Sequence, residues 1–183
     1  MTDDRRIQGG HVITPVPGCY RGVVVIDANS LYPSLMRHMG IFIDRCTSAA
    51  SVASLEAKIG TKLPETCHGM RNGDVIVGSG MVVMRTMYGY IAVIKGEPTM
   101  LSEIIEMLTT LRREAQREGN EVAAEGIKVL SNGIYGSMTS RHGILSSKTC
   151  AEATKCAARF FLREMVAVTP FSLRLLIPQP PPC

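Results

Sequence analysis

Asp27 ends a short apolar, β-branched run, Gly22-Val23-Val24-Val25-Ile26, and is followed by Ala28-Asn29-Ser30-Leu31-Tyr32-Pro33-Ser34. A run of that composition reads as a strand buried on both faces. Closing a buried strand with a carboxylate costs several kcal/mol unless the charge finds a partner. Where phosphate chemistry is done, that partner is usually a metal ion. The small and polar residues after Asp27 predict a turn, and the backbone N–H groups of Ser30, Leu31 and Tyr32 can then face one concavity and hold an anion. Asp27 is the candidate metal ligand, with the backbone carbonyl of Ala28 beside it. Tyr32 would lie against whatever occupies the concavity. Pro33 suits the first turn of a helix. The plain alternative for Asp27 is a cap on the following turn, a common role for this residue type.

A second constellation lies a hundred residues downstream. Lys128, Asn132 and Tyr135 recur at i, i+4 and i+7, which places them on one helical face, opposite most of the apolar residues around them. Lys128 can neutralise a triphosphate as a point charge. Tyr135 and Gly136 would let a flat base pair approach the helix, glycine having no Cβ. The plain alternative is a solvated face with an incidental lysine.

The octet at 27–34 resembles the D-x-x-S-L-Y-P-S motif of family B DNA polymerases, and Gly9-Gly10-His11-Val12 through Pro17-Gly18-Cys19-Tyr20 resembles the approach to it. Lys128-Val129-Leu130-Ser131-Asn132-Gly133-Ile134-Tyr135-Gly136 resembles the family's K-x-x-x-N-S-x-Y-G motif, with Gly133 where Ser is common. Both stand in family order, and the resemblance covers roughly residues 9–168. It implies template-directed addition of deoxynucleotides to a primer 3′ end by a two-metal mechanism. The implied cofactor is Mg²⁺ or Mn²⁺, and the implied partners are primer–template DNA and deoxynucleoside triphosphates. Asp27 becomes the catalytic metal ligand, and Ser30, Leu31, Tyr32, Arg112, Lys128, Asn132, Tyr135 and Gly136 become nucleotide-binding. Tyr32 takes the role of a steric gate against the 2′-hydroxyl, the group that separates RNA from DNA precursors. Arg112 stands where the family carries a phosphate-binding arginine on the first fingers helix. Its i+4 neighbour is Gln116, where a second basic residue is common, and Arg113 and Arg117 also stand four apart, so the register of the cation stays open.

The family's remaining metal motif, Y-G-D-T-D-S, has no counterpart after Glu164, where the chain carries no further acidic residue. The expectation is a polymerase segment cut before that motif, with a second chain or a C-terminal part supplying it. The rival expectation is a catalytically inactive nucleotide- or nucleic-acid-binding remnant, for which the missing second carboxylate speaks.

These residues need elements to hold them. The expected fold class is α+β: an incomplete palm sheet carrying an antiparallel helical-hairpin fingers element. Residues 1–45 read as a first palm segment with the metal motif. They hold a short strand within 9–18, a strand at 21–26 and a helix at 33–39 that Gly40 ends. Residues 46–97 read as a variable connection. In it, 47–59 is a short helix or surface insertion, and 60–80, with five glycines, is mostly loop. The runs 81–85 and 88–94 read as paired strands. Residues 98–136 read as the helical hairpin. Its first helix has an apolar stripe at Leu101, Ile104, Leu108 and Leu111, and acidic and basic ends that complement the helix dipole. Gly119-Asn120 stops it, and the second helix is expected to bury Val122, Ile127, Leu130 and Ile134. Residues 137–169 read as a polar connection and a helix opened by a capping box, Thr149-Cys150-Ala151-Glu152. It runs through Phe160, Phe161, Met165 and Val168, and Glu152 and Glu164 read as packing. Residues 170–183 form an aberrant or disordered tail.

Composition sets the outer bounds. A chain of 183 residues with 45% hydrophobic content can build a core, and a net charge of +4 permits a polyanionic partner without requiring one. No Trp is present, so a broad base-stacking platform is not indicated. The six cysteines, at 19, 46, 67, 150, 156 and 183, form no C-x-x-C pair and read as reduced thiols rather than zinc ligands. No apolar run approaches the roughly 20 residues needed to span a bilayer, and the N-terminus lacks a signal-peptide core. The expected location is intracellular, in nucleus or cytoplasm, or in a host cell if the chain is viral.

Overall fold

A computed structural model describes residues 17–19, 21, 27–140 and 143–168. The strand predicted at 21–26 and most of that at 9–18 lie outside the described residues, as do His142, Pro170 and the tail. In chain order the elements are α1 (Leu31–Met39), β1 (Cys46–Ala49), α2 (Val52–Ile59), a 3₁₀ turn (Glu65–Gly69), β2 (Val75–Val77), β3 (Met81–Thr86), β4 (Gly89–Ile94), α3 (Met100–Arg117), α4 (Glu121–Thr139) and α5 (Lys148–Val168). The class is α+β, as expected.

The strands form one antiparallel sheet in the order β1-β4-β3-β2. β3 and β4 are the predicted pair, joined at Met87-Tyr88 with Thr86 opposite Gly89. Their side chains alternate between two cores, as the strand period of two requires. Val82, Met84, Ile91 and Val93 face the larger core with Leu35 and Met36 of α1, Met138 of α4 and Ala153 and Ala157 of α5. Val83, Tyr90 and Ala92 face a smaller core with Val52 and Leu55 of α2, Leu63 and Cys67. The sheet is therefore covered on both faces. Gly89 has φ 135°, and a Cβ there would run into the Ala49 carbonyl, so the close approach of β4 to β1 requires glycine at this position.

Two strands are additions to the sequence reading. β1 falls in the stretch read as a helix or insertion, and β2 in the glycine-rich stretch read as loop. Cys46-Thr47-Ser48-Ala49 has little β-propensity of its own; it is a strand because β4 offers it a ladder, from Cys46 opposite Val93 to Ala49 opposite Tyr90. β2 is three residues long and, among the described residues, pairs only with β3.

α1 begins two residues before the predicted start, so Pro33 is its third residue, still within the first turn. Gly40 closes it in the left-handed conformation at φ 71°. α3 opens with a capping box of Thr99 and Ser102. Gly119, at φ 72°, turns the chain, and Asn120 Oδ1 caps α4 by accepting from the Ala123 amide at 3.1 Å. The two helices pack side by side as a hairpin.

The buried faces of that hairpin differ from the expected ones. In α3, Ile105, Leu108 and Ala115 are buried, Leu101 and Ile104 only partly, and Leu111 is exposed. In α4 the buried residues are Ala124, Ser131, Ile134, Tyr135 and Met138, whereas Val122 and Leu130 are 87% and 60% exposed. Two of the buried positions, Ala124 and Ser131, are small residues. A stripe drawn through its largest apolar residues mixed two faces.

The cap of α5 also differs. Its first residue is Lys148, and Ser147 Oγ accepts from the Cys150 amide at 3.3 Å. Thr149 instead meets Ser48 of β1 at 3.5 Å, and Glu152 is buried at 7% exposure. The buried half of α5, residues 150–158, is rich in Ala, Cys and Thr and lies against the sheet, while Phe161 is exposed.

Candidate functional site

The start of α1 is an unusual piece of backbone. Ser30, the residue before the helix, has φ 50° and ψ 48°, the one non-glycine residue with positive φ among the described residues. No side chain caps the helix. Its first intrahelical bond runs from the Ser34 amide to the Ser30 carbonyl at 3.0 Å, so the amides of Leu31 and Tyr32 have no intrahelical acceptor. Successive amides around a left-handed residue form a concavity suited to an anion, and the helix dipole adds positive potential there. Asp27 is exposed beside this concavity and Ala28 partly so.

A cation already reaches in. Arg112 Nη1, from α3, donates to Asn29 Oδ1 at 2.9 Å and to Ser30 Oγ at 2.6 Å. Its Nε is buried without a hydrogen-bond partner among the described residues. Arg113 and Arg117 are exposed. Of the three arginines, Arg112 is the one bonded to the start of α1. A second tie between α3 and α1 is the ion pair of Arg37 with Glu106 at 3.0 Å.

From α4 comes an aromatic partner. The Tyr135 ring stacks on Tyr32 with centroids 4.4 Å apart and an interplanar angle of 24°. Tyr135 is 9% exposed, and its hydroxyl has no hydrogen-bond partner among the described residues. Burial, and then the neighbouring Tyr32, push its phenol well above the ordinary value. Lys128 and Asn132 share its face of the helix, two turns and one turn back. Lys128 Nζ donates to both carboxylate oxygens of Glu125, at 3.0 and 3.1 Å. Asn132 and Gly136 are exposed, and a Cβ at Gly136 would meet nothing within 4 Å. The plain alternative of a wholly solvated face does not hold at Tyr135, which is buried against α1, while Lys128 is half-buried and Asn132 and Gly136 are exposed, as are Val122, Val129 and Leu130.

The structure thus brings together Asn29, Ser30, Tyr32, Arg112 and Tyr135, with Leu31 supplying a backbone amide. Asn29 and Glu125 are participants the sequence reading missed. Glu125 was legible as an i, i+3 charge pair with Lys128; nothing marked Asn29.

The donor set fits a hard divalent cation in part. A carboxylate and a backbone carbonyl are oxygen ligands of the kind Mg²⁺ takes, and Mg²⁺ fills its remaining positions with water and phosphate oxygens. Among the described residues no group of three His, Cys, Asp or Glu side chains could hold an ion. Asp27 and the Ala28 carbonyl are the oxygen donors of this chain that would face such an ion. No helix among the described residues is long and apolar enough to cross a membrane.

The chain is 28% identical over 163 residues to DNA polymerase 1 of Sulfolobus acidocaldarius, covering 86% of this chain and 17% of that protein. It is 27% identical over 129 residues to DNA polymerase II of Escherichia coli, covering 70% of this chain and 13% of the other. It is 42% identical over 52 residues to DNA polymerase 120R of Invertebrate iridescent virus 3, covering 28% and 5%. The chain therefore spans less than a fifth of the length of these relatives. No solved structure matches it. The model of DNA polymerase family B matches residues 1–170, nearly the whole chain, and the chain belongs to that family.

Proposed function

We propose that this segment binds the incoming deoxynucleoside triphosphate for template-directed addition to a primer 3′ end. One observation carries the reading: Arg112 and Tyr135, from two helices distant in sequence, converge on the start of α1, at Ser30 and at Tyr32. An arginine against a positively polarised helix start is a poor arrangement unless an anion joins it. The amides of Leu31 and Tyr32 and the Arg112 guanidinium then act as donors to one phosphate group, the guanidinium giving directed, charge-assisted bonds.

In this reading the hairpin of α3 and α4 is the fingers element and the sheet is part of the palm. Tyr32, backed by Tyr135, presents its ring to the sugar and leaves no room for a 2′-hydroxyl. Lys128 turns from Glu125 to the triphosphate. An exposed ion pair contributes about 0.2–1 kcal/mol and a hydrogen bond to a charged group about 1.5–3 kcal/mol, so the exchange is favourable. Gly136 leaves space for a base pair against α4. Asp27 and the Ala28 carbonyl would hold Mg²⁺ or Mn²⁺, which when bound activates the primer hydroxyl and stabilises the departing pyrophosphate in a two-metal scheme. The partners are primer–template DNA and deoxynucleotides, and the location is wherever these meet inside a cell.

The test is a calorimetric titration of the chain with a deoxynucleoside triphosphate and Mg²⁺. Binding should require Mg²⁺ and weaken in Asp27→Asn. Equal binding by parent and variant would reduce Asp27 to a turn cap and overturn the metal assignment.

A further inference from the structure

Two arginine contacts tie α3 to α1, and they use different acceptors. Arg37, in the last turn of α1, meets a carboxylate: Glu106 Oε1 of α3, at 3.0 Å. Arg112 of α3 meets neutral oxygens at the start of α1, donating from Nη1 to Asn29 Oδ1 at 2.9 Å and to Ser30 Oγ at 2.6 Å. On α4 the cation again meets a carboxylate, Lys128 with Glu125. A carboxylate adds charge attraction and can take two parallel N–H bonds from a guanidinium. Mechanical strength alone would therefore favour one at position 29 as well. Asn29 is exposed, two residues after Asp27 and next to the left-handed Ser30. Its amide oxygen fixes the direction of the guanidinium and leaves the charge uncancelled. Nη1 uses both of its N–H groups on Asn29 and Ser30, which leaves the Nη2 side of the planar fork to face a phosphate.

We propose that Asn29 is a positioning residue for the triphosphate, an assignment that rests on the nucleotide reading above. Its amide oxygen aims the Arg112 guanidinium at the anion concavity without neutralising it. Asn29 itself needs no contact with the nucleotide; it acts through Arg112. With asparagine at 29, the full charge of Arg112 adds to the positive end of α1. A carboxylate there would strengthen the tie between the helices, cancel much of that charge and repel the phosphates. Strength of the tie and affinity for an anion are thus opposed at this one position. That opposition separates positioning from simple bracing.

The experiment compares Asn29→Asp and Asn29→Ala with the parent chain by thermal unfolding and calorimetric titration. The probes are a deoxynucleoside triphosphate with Mg²⁺ and inorganic tripolyphosphate without metal; the second takes the Asp27 metal out of the comparison. Asn29→Asp should unfold at the parent's midpoint or above it, because it keeps an acceptor for Arg112 and places a negative charge near a helix start. Its affinity for both probes should nevertheless fall by about tenfold or more. Asn29→Ala should bind both roughly three- to tenfold more weakly than the parent. That loss should vanish in an Arg112→Ala background, since a residue acting through the arginine has nothing left to position.

Asn29→Asp binding both probes as tightly as the parent would make the contact a brace and overturn the proposal. So would an Asn29→Ala loss that persists undiminished beside Arg112→Ala. Should Asn29→Asp unfold below the parent, the comparison of Asn29→Ala with and without Arg112→Ala decides alone. A parent chain that binds neither probe overturns the nucleotide reading and this assignment together. A parent that binds, with variants that behave as a brace predicts, overturns the assignment and leaves the nucleotide reading standing.

Discussion

The start of α1 and the middle of α4 carry the two motifs, and they are prepared in different ways. At α1 the cation is already in place: Arg112 crosses from α3 to Asn29 and Ser30. On α4 the cation is held back: Lys128 is paired with Glu125 of its own helix. The aromatics reverse the pattern. Tyr135 of α4 is buried and stacked, while Tyr32 of α1 is only partly buried. In the proposed site this would give one fixed phosphate anchor and one that a ligand must recruit, so the two cations should not be equivalent.

That asymmetry can be broken most severely at Arg112. Arg112→Ala removes a directed contact worth about 1.5–3 kcal/mol, so triphosphate affinity should fall by roughly ten- to a hundredfold. A calorimetric titration reads it, and an unchanged affinity would make Arg112 a purely structural tie. Lys128→Ala should cost less, about tenfold, because the parent first gives up its Glu125 pair. A larger loss than that of Arg112→Ala would invert the proposed order.

Tyr135→Phe addresses the aromatic half. A buried hydroxyl without a partner costs about 1–3 kcal/mol, so thermal or denaturant unfolding should show this variant as stable as the parent or more so. Its effect on pH dependence has a definite sign. Burial raises the folded-state phenol, so the neutral form's contribution is fully present below the ordinary value of about 10 and is lost as pH climbs through the raised one. The parent should lose stability in that alkaline window, and the variant should lose less. The smallest effect belongs to Glu125→Gln, which frees Lys128 and should raise triphosphate affinity by up to about fivefold. A decrease would show that Glu125 positions the lysine rather than restraining it.

Much of this site was legible because its signals are local. Gly40 and Gly119-Asn120 set helix ends through backbone conformation alone, and β3 and β4 announced themselves by apolar composition around a short turn. What failed depended on partners distant in sequence. β1 is a strand only because β4 pairs with it, and α4 rotates so that Ala124 and Ser131 rather than Val122 and Leu130 meet its neighbours. At the site, the spacing of Lys128, Asn132 and Tyr135 gave a shared face correctly, but not its direction, which the Tyr32 stack decides. That Arg112 rather than Arg113 reaches the start of α1 likewise depends on Asn29 and Ser30, more than eighty residues away.

The central claim is that both motifs form one nucleotide site, and amide and side-chain NMR shifts during titration with a deoxynucleoside triphosphate and Mg²⁺ test it most directly. The account predicts that the amides of Leu31 and Tyr32, the Arg112 guanidinium and the Lys128 ammonium move along one binding curve with a single midpoint. Separate midpoints, or shifts confined to one helix, would contradict it.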